Sequence, residues 1–190
     1  MSTKTALRKD LIAARRIAAN SEDGRAGAAL ARVFLREGPE ILPGAIVSGF
    51  WPIKTEINTV PLMDRLAEAG ARICLPVAPD RFGDVEFRLY EQGTAMTEDA
   101  WGIPGPDFEA EVVVPQVMLV PLLGFDASGG RIGYGAGIYD KAIGKFRENG
   151  EVDVVGIAYA AQEVARVPMT HNDELLDWVI TEKGVKLRSS

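Results

Sequence analysis

Sulfur and imidazole are nearly missing from this chain: its 190 residues include one cysteine, Cys74, and one histidine, His171. A single thiol permits neither an internal disulfide nor a cysteine-based zinc site, and Cys74, inside the apolar run Ile73-Cys74-Leu75-Pro76, reads as a buried inert group. Histidine-rich metal sites are excluded as well. A Ser/His/Asp triad would depend on His171 alone, and no nucleophile motif such as G-x-S-x-G accompanies it. No apolar run is long enough to span a bilayer, and the amino terminus lacks the apolar core of a secretory signal. Its Lys, Arg and Ala content has the look of a mitochondrial presequence, but Asp10 and the helical periodicity weigh against that, so the cytoplasm is the expected location. Positive charge is in deficit too. With 21 Lys and Arg against 27 Asp and Glu the formal net charge is -6, which argues against a nucleic-acid binder working by bulk electrostatics and leaves an anionic small molecule acceptable in a locally basic pocket.

What is present is an ordinary globular composition, 47% apolar and 25% charged, in a length that suits one domain, residues 1–190, with a substantial core. The most unusual stretch is Gly129-Gly130-Arg131-Ile132-Gly133-Tyr134-Gly135-Ala136-Gly137, five glycines in nine positions, followed by Ile138-Tyr139-Asp140-Lys141. So much glycine costs backbone entropy on ordering and is favoured where φ is positive or a ligand approaches the backbone. Val117 to Leu123 before it reads as a buried strand, and Ile138, Ala142 and Phe146 after it share one face of a helix. Strand, glycine loop and helix start make an anion site, because unpaired N–H groups meet the positive end of the helix dipole there and Arg131 and Lys141 add full charges. Phosphate is the expected guest. The spacing, G-x-G-x-G, matches neither G-x-x-x-x-G-K-[ST] nor the dinucleotide fingerprint G-x-G-x-x-G, in which Ile138 occupies the place of the third glycine. A glycine-rich surface turn without a ligand is the plain alternative.

Ser2 is placed to cap a first helix in which Leu7, Leu11, Ala14 and Ala18 recur at spacings of three and four. Lys4, Arg8 and Arg15 lie elsewhere on it and read as a cationic, solvated side, although Lys4 and Arg8, one turn apart, are placed to share a ligand beside the glycine loop. Ser21 is expected to start a second helix with Ala26, Leu30, Val33 and Phe34 inward and Gly38-Pro39 as its stop. Ala45 to Phe50 is a short strand, and Trp51 to Asn58 leaves its carboxyl end as a loop, the edge where open α/β sheets bind ligands. There Trp51 offers a flat apolar face and Glu56 a carboxylate, a pair suited to stacking on a heterocycle and accepting from its ring N–H groups. A core tryptophan and a helix-capping glutamate would fill the same positions. Thr59 and Pro61 open a helix that ends at Gly70, and Arg72 to Leu75 completes a βαβ unit. Asp80 to Asp84 is a polar turn, Val85 to Tyr90 alternates as a half-buried strand, and Trp101-Gly102-Ile103-Pro104-Gly105-Pro106 reads as a stiff loop whose indole either meets a ligand or packs on the domain. Asp153 to Ala158 and Trp178 to Thr181 are further strands, with Asp173 and Asp177 just ahead of the second. The alternation predicts a three-layer α/β/α domain with a mainly parallel sheet.

Taken together, Lys4-x-x-Leu7-Arg8, the Trp51 to Glu56 loop, Trp101-Gly102-Ile103-Pro104, the stretch from Pro121 to Asp140 and the tail from Pro168 to Asp173 resemble the 5-formyltetrahydrofolate cyclo-ligase family, also called methenyltetrahydrofolate synthetase, over nearly the whole chain. The most specific part is Phe125-Asp126, then Gly130-Arg131-Ile132-Gly133-Tyr134-Gly135, then Gly137 and Tyr139-Asp140. The resemblance implies an α/β/α sandwich of the sugar-phosphate isomerase and CoA transferase-like type. It also implies an ATP-dependent ring closure: the formyl oxygen of 5-formyltetrahydrofolate attacks the γ-phosphate, the neighbouring folate nitrogen captures the resulting iminium phosphate, and 5,10-methenyltetrahydrofolate, ADP and phosphate are released.

By that resemblance ATP is held by Lys4, Thr5, Ala6, Leu7, Arg8, Arg131, Ile132, Gly133, Tyr134, Gly135, Ala136, Gly137, Ile138 and Tyr139. Mg²⁺ is held by Asp140 and Asp173, and the folate by Trp51 and Glu56 with Tyr134, Gly135, Ala136, Gly137 and Ile138 shared. Arg131, Tyr134 and Asp140 are the implied catalytic residues. The implied partners are ATP and 5-formyltetrahydrofolate, with or without a polyglutamate tail, acting on a monomer with no nucleic acid or membrane. These roles agree with the physics of phosphoryl transfer, which asks for cations, oriented N–H groups and a metal rather than covalent work. Mg²⁺ suits one or two carboxylates with phosphate oxygens and waters. Ile138 stands where many relatives have a tyrosine, giving Ile-Tyr-Asp in place of Tyr-Tyr-Asp. Two rivals share these residues: closure or phosphorylation of another amine-bearing heterocycle, and a non-catalytic folate or nucleotide binder. The pair Asp140 and Asp173 argues against the latter, since storage needs no metal.

Overall fold

The computed structural model describes residues 4–22, 24–81, 83–150 and 152–188. In chain order the elements are α1 (Lys4–Ser21), α2 (Ala26–Glu37), β1 (Ile46–Ser48), α3 (Val60–Glu68), β2 (Arg72–Val77), β3 (Glu86–Leu89), β4 (Met96–Glu98), β5 (Pro104–Pro106), β6 (Val117–Pro121), β7 (Gly124–Phe125), β8 (Arg131–Ile132), α4 (Ile138–Asn149), β9 (Asp153–Ala158), a single 3-10 turn (Ala160–Gln162), β10 (Trp178–Thr181) and β11 (Gly184–Arg188). Seven strands form the main sheet in the order β11-β10-β9-β6-β1-β2-β3. The inner strands β10, β9, β6, β1 and β2 run parallel, and antiparallel β3 and β11 close its two edges.

The near-continuous apolar character of β6, β9 and β10 follows from this position, because a central parallel strand is covered on both faces. Successive side chains of a strand point to opposite faces. Accordingly Leu119, Val155, Ile157 and Ile180 pack with Leu30, Phe34, Leu62 and Leu66 of α2 and α3, while Met118, Val120, Val154 and Val179 pack with Ala142 and Ile143 of α4. Helices therefore lie on both faces of a mostly parallel sheet, as the alternation of elements predicts. A third, smaller core of Leu11, Leu123, Ile132 and Val167, with Leu7 against it, fixes α1 to the β7–β8 hairpin.

Several local readings are corrected. The first helix runs through Ser21, whose hydroxyl donates to the Ala18 carbonyl at 2.9 Å and so ends α1 instead of starting α2; the Ser2 cap lies outside the described residues. Arg15 is not on a solvated side but is 1% exposed. The segment after Trp101 is not wholly loop, because Pro104–Pro106 pairs antiparallel with Met96–Glu98 in a separate two-stranded sheet, an edge arrangement that proline tolerates. β3 does not alternate: Phe87 and Arg88 are both buried, since the Arg88 guanidinium finds the carbonyls of Phe108 and Ala110 at 2.7 Å.

Ligand-bearing loops collect at the carboxyl edge of the parallel strands. The chain leaves β1 toward β2 on one side, while β6 takes β1's other flank. The crevice between β1 and β6 is therefore a topological switch point, where an open α/β sheet leaves room for a ligand.

Candidate active site

A cavity of about 380 Å³ opens at that crevice, within the size range of small-molecule sites. Phe50 and Trp51 reach it from the end of β1, Pro76 and Ala78 from the end of β2, and Pro121 from the end of β6. Lys4 and Arg8 enter from α1, Ile53 and Glu56 from the loop after β1, Arg131 to Asp140 from the glycine loop and the start of α4, and Asp173 from the tail. Most of the residues singled out by sequence thus line one cavity. Thr5, Ala6 and Leu7 do not reach it: Leu7 packs into the small core under α1, and Thr5 and Ala6 are exposed. Lys141 also points away, held 2.6 Å from Asp84.

Spacing on α1 explains the two amino-terminal cations. Leu7 and Leu11, one turn apart, anchor the helix on Leu123 and Ile132, so Lys4 and Arg8, also one turn apart, project over the glycine loop. Arg8 Nε donates to the Gly133 carbonyl at 2.9 Å, and Lys4 Nζ lies 2.5 Å from Asp173 Oδ2. Gly135 makes the approach possible: its φ is 106°, and an added Cβ would sit 3.1 Å from the Arg8 guanidinium.

The glycine loop hangs from the β7–β8 hairpin, and Asp126 sets that hairpin. Its buried carboxylate accepts from the backbone N–H groups of Ser128 at 2.9 Å, Gly130 at 3.0 Å and Val167 at 2.7 Å. At the other end Gly137, left-handed at φ 70°, precedes α4, and no side chain among the described residues caps that helix. Ile138, Tyr139 and Asp140 line the cavity, and their first-turn N–H groups, with no side-chain cap among the described residues, make a ready anion site.

Arg131 is 6% exposed. Its Nη2 donates to Asp140 Oδ1 at 2.5 Å and its Nη1 to the Glu174 carbonyl. Burial pulls the guanidinium below its ordinary value, opposed by the charges of Asp140, Asp173 and Glu174; an arginine stays charged regardless. Asp140 Oδ1 also accepts from the Glu174 N–H at 3.0 Å. Asp173 Oδ2 takes Lys4 together with the N–H and hydroxyl of Thr170 at 2.6 and 2.8 Å. Desolvation opposes ionisation of Asp173, but these donors outweigh it and hold the carboxyl below its usual range. Among the described residues, every hydrogen bond to these two aspartates falls on one oxygen of each, leaving Asp140 Oδ2 and Asp173 Oδ1 for another partner. No cluster of three or more His, Cys, Asp or Glu suited to a metal occurs among the described residues. Two anchored carboxylates, each with a spare oxygen, fit a hard cation that takes its remaining ligands from phosphate and water.

On the opposite wall Glu56 Oε2 accepts from the Ile53 N–H at 3.0 Å, so this carboxylate closes its own loop and lines the cavity as well. Burial pushes its pKa up, with Ile53, Arg15 and Lys54 acting in the other direction. Burial, and then the charge of Glu56, likewise raise the Tyr139 phenol, which stays a neutral donor. Trp51 is half-buried, edge-on to Tyr90 at 6.2 Å between centroids, and is at once a core ring and a wall of the cavity. Trp101 also lines the cavity. Asp99 holds its loop by accepting from the N–H groups of Ala78, Trp101 and Ile103. Sequence reasoning missed Asp99, Lys54 and Arg15. The signal for Arg15 was available, since Leu11, Arg15 and Ala18 continue one stripe at spacings of four and three.

A donor-rich bend at a helix start, cations on two sides and two half-occupied carboxylates make an α/β pocket suited to an anionic small molecule. The sequence model of the 5-formyltetrahydrofolate cyclo-ligase family matches residues 1–182. The 5-formyltetrahydrofolate cyclo-ligase of Escherichia coli strain K12 is 30% identical over 152 residues, 77% of this chain and 83% of the relative. The cyclo-ligase of Mycolicibacterium smegmatis is 32% identical over 149 residues, 74% of this chain and 69% of the relative. The NMR structure of Aquifex aeolicus 5,10-methenyltetrahydrofolate synthetase superposes with a TM-score of 0.78 at 26% identity, covering 97% of this chain and 92% of that one. This chain belongs to the 5-formyltetrahydrofolate cyclo-ligase family.

Proposed function

We propose that the chain, acting as one cytoplasmic domain, closes 5-formyltetrahydrofolate to 5,10-methenyltetrahydrofolate with Mg²⁺ and ATP, releasing ADP and phosphate. The observation that carries this reading is the meeting, in one cavity, of the cationic glycine-loop side with the Trp51 and Glu56 wall. Lys4, Arg8 and the N–H groups at the start of α4 bind the triphosphate and aim its outer group inward. Trp51 stacks on the pterin, and Glu56 accepts from its ring N–H groups. Asp140 and Asp173 would hold Mg²⁺, which when bound would neutralise charge on the phosphate oxygens.

The formyl oxygen then attacks γ-phosphorus and the bond to ADP breaks. The folate N10 lone pair attacks the activated formyl carbon, its proton is lost, and the C–O bond breaks with phosphate as the leaving group. Phosphorylation matters because a formamide oxygen leaves poorly as hydroxide. Arg131 acts mainly by holding Asp140, and the Tyr134 ring borders both substrates.

An absorbance assay for the methenyl product tests the proposal, with ATP, Mg²⁺ and 5-formyltetrahydrofolate each omitted in turn. Product should form only in the complete mixture, and product without ATP would refute the reading. Asp140→Asn should require a higher Mg²⁺ concentration while folate still quenches tryptophan fluorescence; an unchanged Mg²⁺ activation curve removes the metal assignment.

A further inference from the structure

Arg15 is the most deeply buried charged side chain among the described residues, and the reading above leaves it without a task. It is 1% exposed and does not itself line the cavity, but its guanidinium touches residues from two separate walls. Nε donates to Thr55 Oγ1 at 3.2 Å, and Nη2 donates to the Tyr134 hydroxyl. The guanidinium carbon lies 5.4 Å from the centre of the Tyr134 ring. Among the described residues Nη1 is buried without a hydrogen-bond partner, 3.5 Å from Glu56 Oε1, close enough for ion pairing and too far for a good hydrogen bond. A buried donor left unsatisfied is costly, and here it is aimed at the carboxylate that lines the folate wall.

We infer that Arg15 is a positioning residue that locks the two walls in register, holding Glu56 of the loop after β1 and Tyr134 of the glycine loop from behind with one guanidinium. This rests on the proposed assignment of those walls to folate and nucleotide. A planar fork with five donors suits the task, and a lysine, with one point of charge, cannot serve both walls. Glu56 is faced by Arg15 from α1, by Lys54 and the Ile53 N–H from its own loop, and by Tyr139 from α4. Arg15 is the only one of these that also touches the glycine loop through a hydrogen bond among the described residues. The pairing gives Arg15 a second consequence: it favours the charged form of Glu56 against the cost of burial.

The test compares the parent, Arg15→Lys, Arg15→Gln and Tyr134→Phe. In Arg15→Gln, KM for 5-formyltetrahydrofolate should rise about tenfold or more, the scale of one charge-assisted hydrogen bond. The acid limb of kcat/KM for folate should also move to higher pH, because Glu56 loses a cation that lowers its pKa. Arg15→Lys should restore the acid limb and leave KM raised, separating charge from fork. Combining Arg15→Gln with Tyr134→Phe should cost less than the product of the single effects.

A carboxyl-carbon NMR titration of ligand-free protein, with the Glu56 signal assigned by its loss in Glu56→Gln, should show the same shift of Glu56. This readout needs no turnover, so it stands even if the parent proves inactive on folate. If Arg15→Gln does not fold, Arg15→Lys carries the test. An Arg15→Lys protein with parental KM and multiplicative combination with Tyr134→Phe overturns the inference, as does an unmoved Glu56 titration in folded Arg15→Gln.

Discussion

Arg131 and Asp140 close the glycine loop at its base: nine residues apart in sequence, they meet at 2.5 Å, with the Glu174 backbone bonded to both side chains. The loop is thereby a strap held at its two ends, and the carboxyl-terminal tail is stitched to the same point.

Arg131→Lys should loosen both. Lysine keeps the charge but cannot span Asp140 and the Glu174 carbonyl together. A loss of about 2–3 kcal/mol in urea unfolding is expected, below the roughly 3–5 kcal/mol of a fully broken buried pair because lysine keeps the charge and Asp140 is partly exposed. The KM for ATP should rise with it. An unchanged urea midpoint would show that the strap is not held by this pair.

Gly135 and Gly133 should respond differently to alanine. Gly135 has φ 106° and only tight space beside Arg8, so Gly135→Ala should cost about 1–2 kcal/mol in stability, the strain of a left-handed alanine, and push the Arg8 guanidinium aside. An added Cβ at Gly133 meets nothing within 4 Å. Gly133→Ala should therefore leave stability equal or gain up to about 1 kcal/mol through the unfolded chain. Thermal unfolding of the two variants decides, and equal losses would contradict the geometry.

Asp126→Ala should be strongly damaging although Asp126 lies outside the cavity wall. It strands three backbone N–H groups, from Ser128, Gly130 and Val167, at about 3–5 kcal/mol in total. Measured by urea denaturation, a loss below about 1 kcal/mol, the size of a typical single mutation, would mean that the hairpin finds other acceptors.

Acid should weaken the tail through Asp173. Its folded pKa is below the unfolded value, so its stabilisation is complete above about pH 4, the unfolded aspartate value, and fades as pH falls through the lower folded value. The stability difference between the parent and Asp173→Asn should accordingly shrink below about pH 4. A difference independent of pH in that range would show that the Lys4 and Thr170 donors do not favour the charged form.

Much of the fold was legible because it rests on periodicity. The apolar runs of β6 and β9 and the inward residues of α2 follow from strand and helix repeats that need no tertiary knowledge. Local chemistry also identified the glycine loop, since only a demand for positive φ or close approach accounts for glycines at 135 and 137. β11 went unread because the tight turn Glu182-Lys183 follows β10 directly, with no strong apolar pattern beyond it. The Pro104–Pro106 strand was hidden by residues that usually break pairing.

The linear chain fixed the stock of chemistry: which cations, carboxylates and rings exist, and which are one helical turn apart. Folding decided which of them meet. Arg15 and Lys4 lie on the same helix, yet one is sealed behind two walls and the other opens onto the cavity, because burial depends on what packs across from a residue. Long-range proximity of Arg15, Glu56 and Tyr134 is set by sheet order and by the seating of α1 on the β7–β8 hairpin, quantities that no local spacing encodes.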